Sequence, residues 1–111
     1  MTDQELFDTV TTHLLTQNAR SVGNCGDCRY YGTNGRKCAI GCLIPEDKYV
    51  PSMEGAPIDS REIREATGIT TARQVDLAIQ LQDVHDAYGV KQWRDTLQKV
   101  ANHYELTFKE A

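Results

Sequence analysis

Every cysteine of the chain lies in one stretch, CGDCRYYGTNGRKCAIGC, as Cys25, Cys28, Cys38 and Cys42. Cys25-Gly26-Asp27-Cys28 has the form of a metal knuckle, with a glycine permitting the tight turn that aims both sulfurs inward. Zinc holds thiolates at roughly 2.3 Å, so four ligands must gather within about 4 Å of one another. That demand falls hardest on the second pair. Along a strand, at about 3.3 Å per residue, Cys38 and Cys42 would stand roughly 13 Å apart and could not share an ion. On a helix their Cβ atoms would be about 5–6 Å apart and both could reach it. A zinc site therefore requires residues 38–44 to be helical. Ala39, Leu43 and the stop at Pro45 suit a helix, whereas Gly41, Ile40 and Ile44 weaken it. The alternative is that these thiols are small buried hydrophobes.

Two other cysteine chemistries fit less well. No βαβ pattern surrounds the C-x-x-C, as a thioredoxin-like redox pair would need. A Cys/His nucleophile has His13, His85 and His103 to draw on, but each falls in a predicted helix. No oxyanion donors can be identified beside them. The His85-Asp86 pair beside Tyr88 reads as helix surface. The balance favours a chain that is not an enzyme.

Between the cysteines, Arg29, Tyr30, Tyr31, Arg36 and Lys37 concentrate cationic and aromatic character on one turn. Such a mixture stacks a base and pairs a phosphate, or anchors a protein interface. It also suits a solvated turn whose tyrosines pack inward. Tyr49 and Glu54 in the following loop complete the candidate recognition surface, with Asp47 a further acidic neighbour.

The bulk composition limits the partners. A chain of 111 residues, 40% hydrophobic and 25% charged, is expected to be a single globular domain spanning 1–111. A net charge of −4 argues against general phosphate-backbone binding. MTDQELFDTV lacks the basic and apolar regions of a signal peptide, and no apolar run reaches bilayer length. A reducing cytoplasm is the expected setting.

The elements that must position these residues are mainly helical. Thr2 and Glu5 form a capping box, and Leu6, Val10 and Leu14 recur at helical spacing to about Asn18. A short helix is expected over 57–68, capped by Asp59 or Ser60 and stopped by Gly68. A longer one follows from Thr71, whose capping box uses Gln74, to Gly89, with Leu77, Leu81, Val84 and Tyr88 on one face and Val75 and Ile79 beside it. The last runs from about Lys91 to Tyr104 and buries Trp93, Leu97, Val100 and Tyr104. The final two should pack as an antiparallel hairpin, with a core centred on Leu14, Leu81, Val84, Trp93 and Leu97. Asn34-Gly35 predicts a β-hairpin over RYYGTNGRK. The expected fold is thus mainly α (α+β), about four helices with one short β-hairpin and cysteine knuckle in the middle.

CRYYGTNGRKCAIGCLIPEDKYVPSMEG, with HLLTQN before it and LQDVHDAYGVKQW after it, resembles small proteins encoded by tailed phages and prophages. Cys28, Tyr30, Gly35, Lys37, Cys38, Gly41, Leu43, Pro45, Tyr49 and Glu54 carry the resemblance, while Cys25 and Cys42 depart from the pattern. The resemblance implies an accessory protein acting by non-enzymatic binding in the host cytoplasm. It would inhibit a host defence protein or sequester a nucleotide signal. A zinc-stabilised regulatory module touching nucleic acid is the alternative.

Overall fold

The computed structural model describes residues 1–23 and 29–109. Among them are four α-helices, α1 (Asp3–Gln17), α2 (Arg61–Thr67), α3 (Ala72–Ala87) and α4 (Trp93–His103). The expected capping box opens α1, with Thr2 accepting the Glu5 N–H and Glu5 accepting that of Thr2. Asn18 closes it in the left-handed conformation (φ 51°). Ser60 caps α2 and Gly68 ends it at φ 82°, while residues 57–60 form a turn instead of the expected first helical turn.

The start of α3 departs from expectation in one half of its cap. Thr71 accepts the Gln74 N–H at 3.1 Å. Gln74 does not return the bond: its carbonyl oxygen takes the Thr70 N–H and hydroxyl, and its amide donates to the Met1 carbonyl. A long, buried side chain held by Thr70 on one side and the distant Met1 carbonyl on the other outcompetes the box. The far end also differs. Helix α3 stops at Ala87, and Gly89 sits at φ −68°, not in the left-handed region. A 3₁₀ turn, Val90–Gln92, then leads into α4.

Helices α1, α3 and α4 pack against one another. The α3–α4 pair is antiparallel, because Arg73 at the start of α3 donates to the Tyr104 carbonyl just beyond α4. Leu14, Leu81, Val84, Trp93 and Leu97 are all buried as expected. The core extends further than the three helices, taking in Cys38, Ala39, Ile40, Ile44, Met53, Ile63, Ile69 and Phe108. Two residues assigned to the α3 face are outside it: Ile79 is 45% exposed and Tyr88 38%. No helix among the described residues is long and apolar enough to cross a membrane.

The expected β-hairpin is the main correction. The Asn34-Gly35 turn is present, with both residues at positive φ (60° and 71°), but pairing is reduced to one antiparallel bridge between Tyr31 and Lys37. The next ladder bond would run from the Tyr30 N–H to the Cys38 carbonyl, but Glu54 takes that N–H and the Cys42 N–H takes that carbonyl. Side chains also fasten the outward-facing peptide groups of Tyr31 and Lys37. Glu54 accepts the N–H groups of Tyr30 and Tyr31. The Gln17 amide both accepts the Lys37 N–H and donates to the Lys37 carbonyl. Residues 38–44 are likewise neither strand nor α-helix. They form a 3₁₀ turn at Gly41–Leu43, with the Cys42 N–H on the Cys38 carbonyl at 3.3 Å. A Cβ at Gly41 would overlap the Tyr30 carbonyl, so glycine here permits close backbone approach.

Candidate binding site

Most of the proposed recognition residues converge on one carboxylate. Glu54 Oε1 accepts the Tyr30 N–H at 2.9 Å, while Oε2 accepts the Tyr31 N–H at 3.0 Å and the Tyr49 hydroxyl at 2.7 Å. Arg29 Nε stands 3.9 Å from Oε1, an ion pair without hydrogen-bond contact. That nitrogen is buried and has no hydrogen-bond partner among the described residues.

The aromatic groups are held on several sides. The Tyr31 and Tyr49 rings stack in parallel, 4.0 Å between centroids and 4° between planes. Lys37 Nζ lies over the Tyr31 ring at 4.7 Å, and Lys37 also pairs with Glu46. The Tyr31 hydroxyl donates to the Ile44 carbonyl, and that of Tyr30 donates to the Ala56 carbonyl at 2.6 Å. Burial, helped by the neighbouring Glu54 charge, pushes the phenols of Tyr30 and Tyr49 up to about 12. Both therefore remain neutral donors at physiological pH. Arg36 contributes its backbone carbonyl, which accepts from Gly32 N–H and from the Ser21 hydroxyl.

Arg29 borders two clefts. One, of about 330 Å³, is lined by Tyr30, Cys38, Glu54, Gln82 and Asp86 together with the Gly55–Ile58 segment. The other, of about 250 Å³, is lined by Gly23, Arg29, Tyr31, Gly32, Thr33, Tyr49 and Pro51. A larger but open groove of about 810 Å³ runs along α1 past Asp8, three threonines, His13, Gln17 and Cys42. Arg29 and the tyrosine cluster lie away from that groove.

The expected zinc ligands divide. Cys25 and Cys28 lie outside the described residues. Cys38 Sγ accepts the Gly41 N–H at 3.2 Å, and the Cys42 thiol donates to the Ala39 carbonyl at 3.0 Å. Burial pushes both thiols up to about 12. These are the contacts of protonated thiols, Cys38 in the core and Cys42 half-buried at the wall of the α1 groove. Among the described residues, no three His, Cys, Asp or Glu side chains are grouped to hold a metal.

His85 is the residue that sequence reasoning misplaced. It is fully buried, not on the helix surface, and stacks on Trp93 at 5.7 Å between centroids. Its Nε2 accepts the Ser21 N–H at 2.9 Å, and its Nδ1 meets Asp86 Oδ1 at 2.7 Å. His13 bonds the Lys37 carbonyl through Nε2 at 2.8 Å; burial, the largest influence, lowers its proton affinity. Two of the three histidines thus brace the recognition segment. Gln17, Ser21 and Gln82 belong to the same frame, and no local pattern marks them in advance.

Comparison with known family models, curated proteins and solved structures gives no match.

Proposed function

We propose that this chain is a non-enzymatic binding protein whose working face is the turn from Arg29 to Lys37, backed by Tyr49 and Glu54. In this reading it is a phage-type accessory protein that occupies a host factor or a nucleotide-like signal in the host cytoplasm. The observation that carries the reading is the convergence of Tyr30, Tyr31, Tyr49 and Arg29 on the Glu54 carboxylate. A platform already fixed by internal bonds loses little side-chain entropy when a partner arrives. Hydrogen bonds also hold His13, His85, Cys38 and Cys42 in structural roles, which supports binding over nucleophilic catalysis.

Native mass spectrometry of the protein purified from cells tests the proposal, because it reports retained ligand, metal and partner together. The wild-type protein should carry a bound species that an Arg36→Ala, Lys37→Ala variant loses while keeping its helical spectrum. Arg36 suits this test, since its guanidinium makes no hydrogen bond or ion pair among the described residues. A wild-type protein that emerges bare, and a variant with undiminished effect in cells, would together refute the assignment.

A further inference from the structure

A short strap after α1, residues 19–22, fastens the turn that bears the proposed binding face. The Ser21 carbonyl accepts the Arg29 N–H at 3.0 Å, and the Val22 carbonyl accepts the Thr33 N–H at 2.9 Å. The Ser21 hydroxyl donates to the Arg36 carbonyl at 3.2 Å. Strap and turn touch at Gly32, where a Cβ would meet Ser21 Oγ and the Val22 backbone at 2.5–2.8 Å. Arg20 ties the strap to the Tyr88 carbonyl from an exposed position. The buried tie is the Ser21 N–H, which donates to His85 Nε2 at 2.9 Å.

That buried bond is one that a proton destroys. A backbone N–H only donates, so it needs the Nε2 lone pair; a proton there sets two donors face to face. Nδ1 meets Asp86 Oδ1 at 2.7 Å, so a counter-charge for the imidazolium is already in place. His13 answers acid differently. Its Nε2 faces the Lys37 carbonyl, which only accepts, so that nitrogen already carries a proton and a second one on Nδ1 leaves the bond intact.

The other elements around His85 bring little competing charge. From α1 comes His13, near enough for positive charge on His85 to oppose a proton there. From α4 comes the uncharged Trp93 ring. Arg29, Tyr30, Cys38 and Glu54 share a cleft with Asp86. Burial keeps Tyr30 and Cys38 protonated, and Arg29 and Glu54 pair with each other.

We propose that His85 is a proton-operated latch: a proton on Nε2 releases the Ser21 amide, and the strap and the 29–37 face loosen together. Imidazole is the side chain whose charge changes between about pH 5 and pH 8, so acidification opens the latch. The opening is a property of the fold; release of a bound species in acid rests on the binding reading above.

The test is NMR of the full chain from about pH 8 to about pH 5, following the imidazole nitrogens and amide exchange together. Protection factors at Ser21, Arg29 and Thr33 should fall roughly tenfold or more as His85 takes up its proton. Leu81 and Leu97 in the core should keep theirs. His85→Gln offers Ser21 a carbonyl oxygen and cannot titrate, so its turn should stay protected throughout. His13→Asn should leave the opening step in place. A wild-type ring that stays neutral across the range would overturn the inference, whether or not the glutamine variant folds. So would a protonated ring with all three amides still protected, a core that loses protection along with the turn, or a step that survives in His85→Gln. Native mass spectrometry at both ends of the range adds the partner. A retained species lost in acid but kept by His85→Gln supports the coupling, and one kept while the amides open overturns it. A latch that opens in a chain bare at both ends keeps the inference and removes the binding reading.

Discussion

The backbone N–H of Ser21 donates to Nε2 of His85 at 2.9 Å, joining the segment after α1 to the middle of the helical core. A backbone amide can only donate, so the bond requires a bare Nε2 and places the ring proton on Nδ1, facing Asp86 at 2.7 Å. Ser21 in turn holds the turn: its carbonyl accepts the Arg29 N–H at 3.0 Å, and its hydroxyl donates to the Arg36 carbonyl at 3.2 Å. One imidazole therefore anchors the strap that frames the proposed binding face.

Replacing that imidazole should be felt as a stability loss. His85→Leu leaves the buried Ser21 N–H without an acceptor and should cost about 1–3 kcal/mol, measured by chemical denaturation. Long-range ¹H–¹⁵N correlation should find the neutral wild-type ring protonated on Nδ1. A ring protonated on Nε2 would contradict the geometry.

Glu54 should behave as a structural carboxylate. Glu54→Ala removes the acceptor of two backbone donors and one phenol, and each donor left dry costs about 1–3 kcal/mol. The expected result is a lower melting temperature with faster amide exchange at Tyr30 and Tyr31. Unaltered exchange at both amides would mean that the carboxylate does not hold them.

Gly41 should resist even the smallest side chain. A methyl group there overlaps the Tyr30 carbonyl, which is backbone and cannot rotate aside. Gly41→Ala should destabilise by about 1–3 kcal/mol, the range for overpacking. It should also weaken the Cys38 N–H bond to that same carbonyl, seen at 3.1 Å. Equal stability of the alanine variant would refute the close approach.

The two described thiols should be inert at neutral pH and become a liability only in strong base. Burial raises Cys38 and Cys42 from 9.0 to about 12, so the folded chain keeps protons that the unfolded chain has lost. Their stabilising contribution is complete below about pH 9 and declines as pH rises toward 12. Peptide-resolved alkylation with iodoacetamide at pH 8 should leave Cys38 unlabelled until denaturant is added. Rapid native labelling of Cys38 would place it at the surface.

Local chemistry in the sequence was enough to specify the helices. The Thr2–Glu5 box, the Ser60 and Thr71 caps and the glycine at 68 act within a few residues of themselves, so their outcome does not depend on distant chain. The apolar spacing that buries Leu14, Leu81, Val84, Trp93 and Leu97 is legible for the same reason. The grouping of Arg29, Tyr30, Tyr31, Tyr49 and Glu54 was also visible, as a concentration of residue types. What those residues do to one another was not. Asn34-Gly35 specifies a turn, but whether a ladder grows from it depends on competing partners, and Glu54 takes the Tyr30 N–H while the Cys42 N–H takes the Cys38 carbonyl. The burial of His85 depends on Ser21 and Trp93 arriving from opposite sides of the chain. Arg29 Nε stands 3.9 Å from a Glu54 carboxylate whose oxygens already accept three other donors, which no spacing in the sequence announces. A hydrogen bond is decided by which partner reaches the atom at the right distance and angle, and that is a property of the folded chain alone.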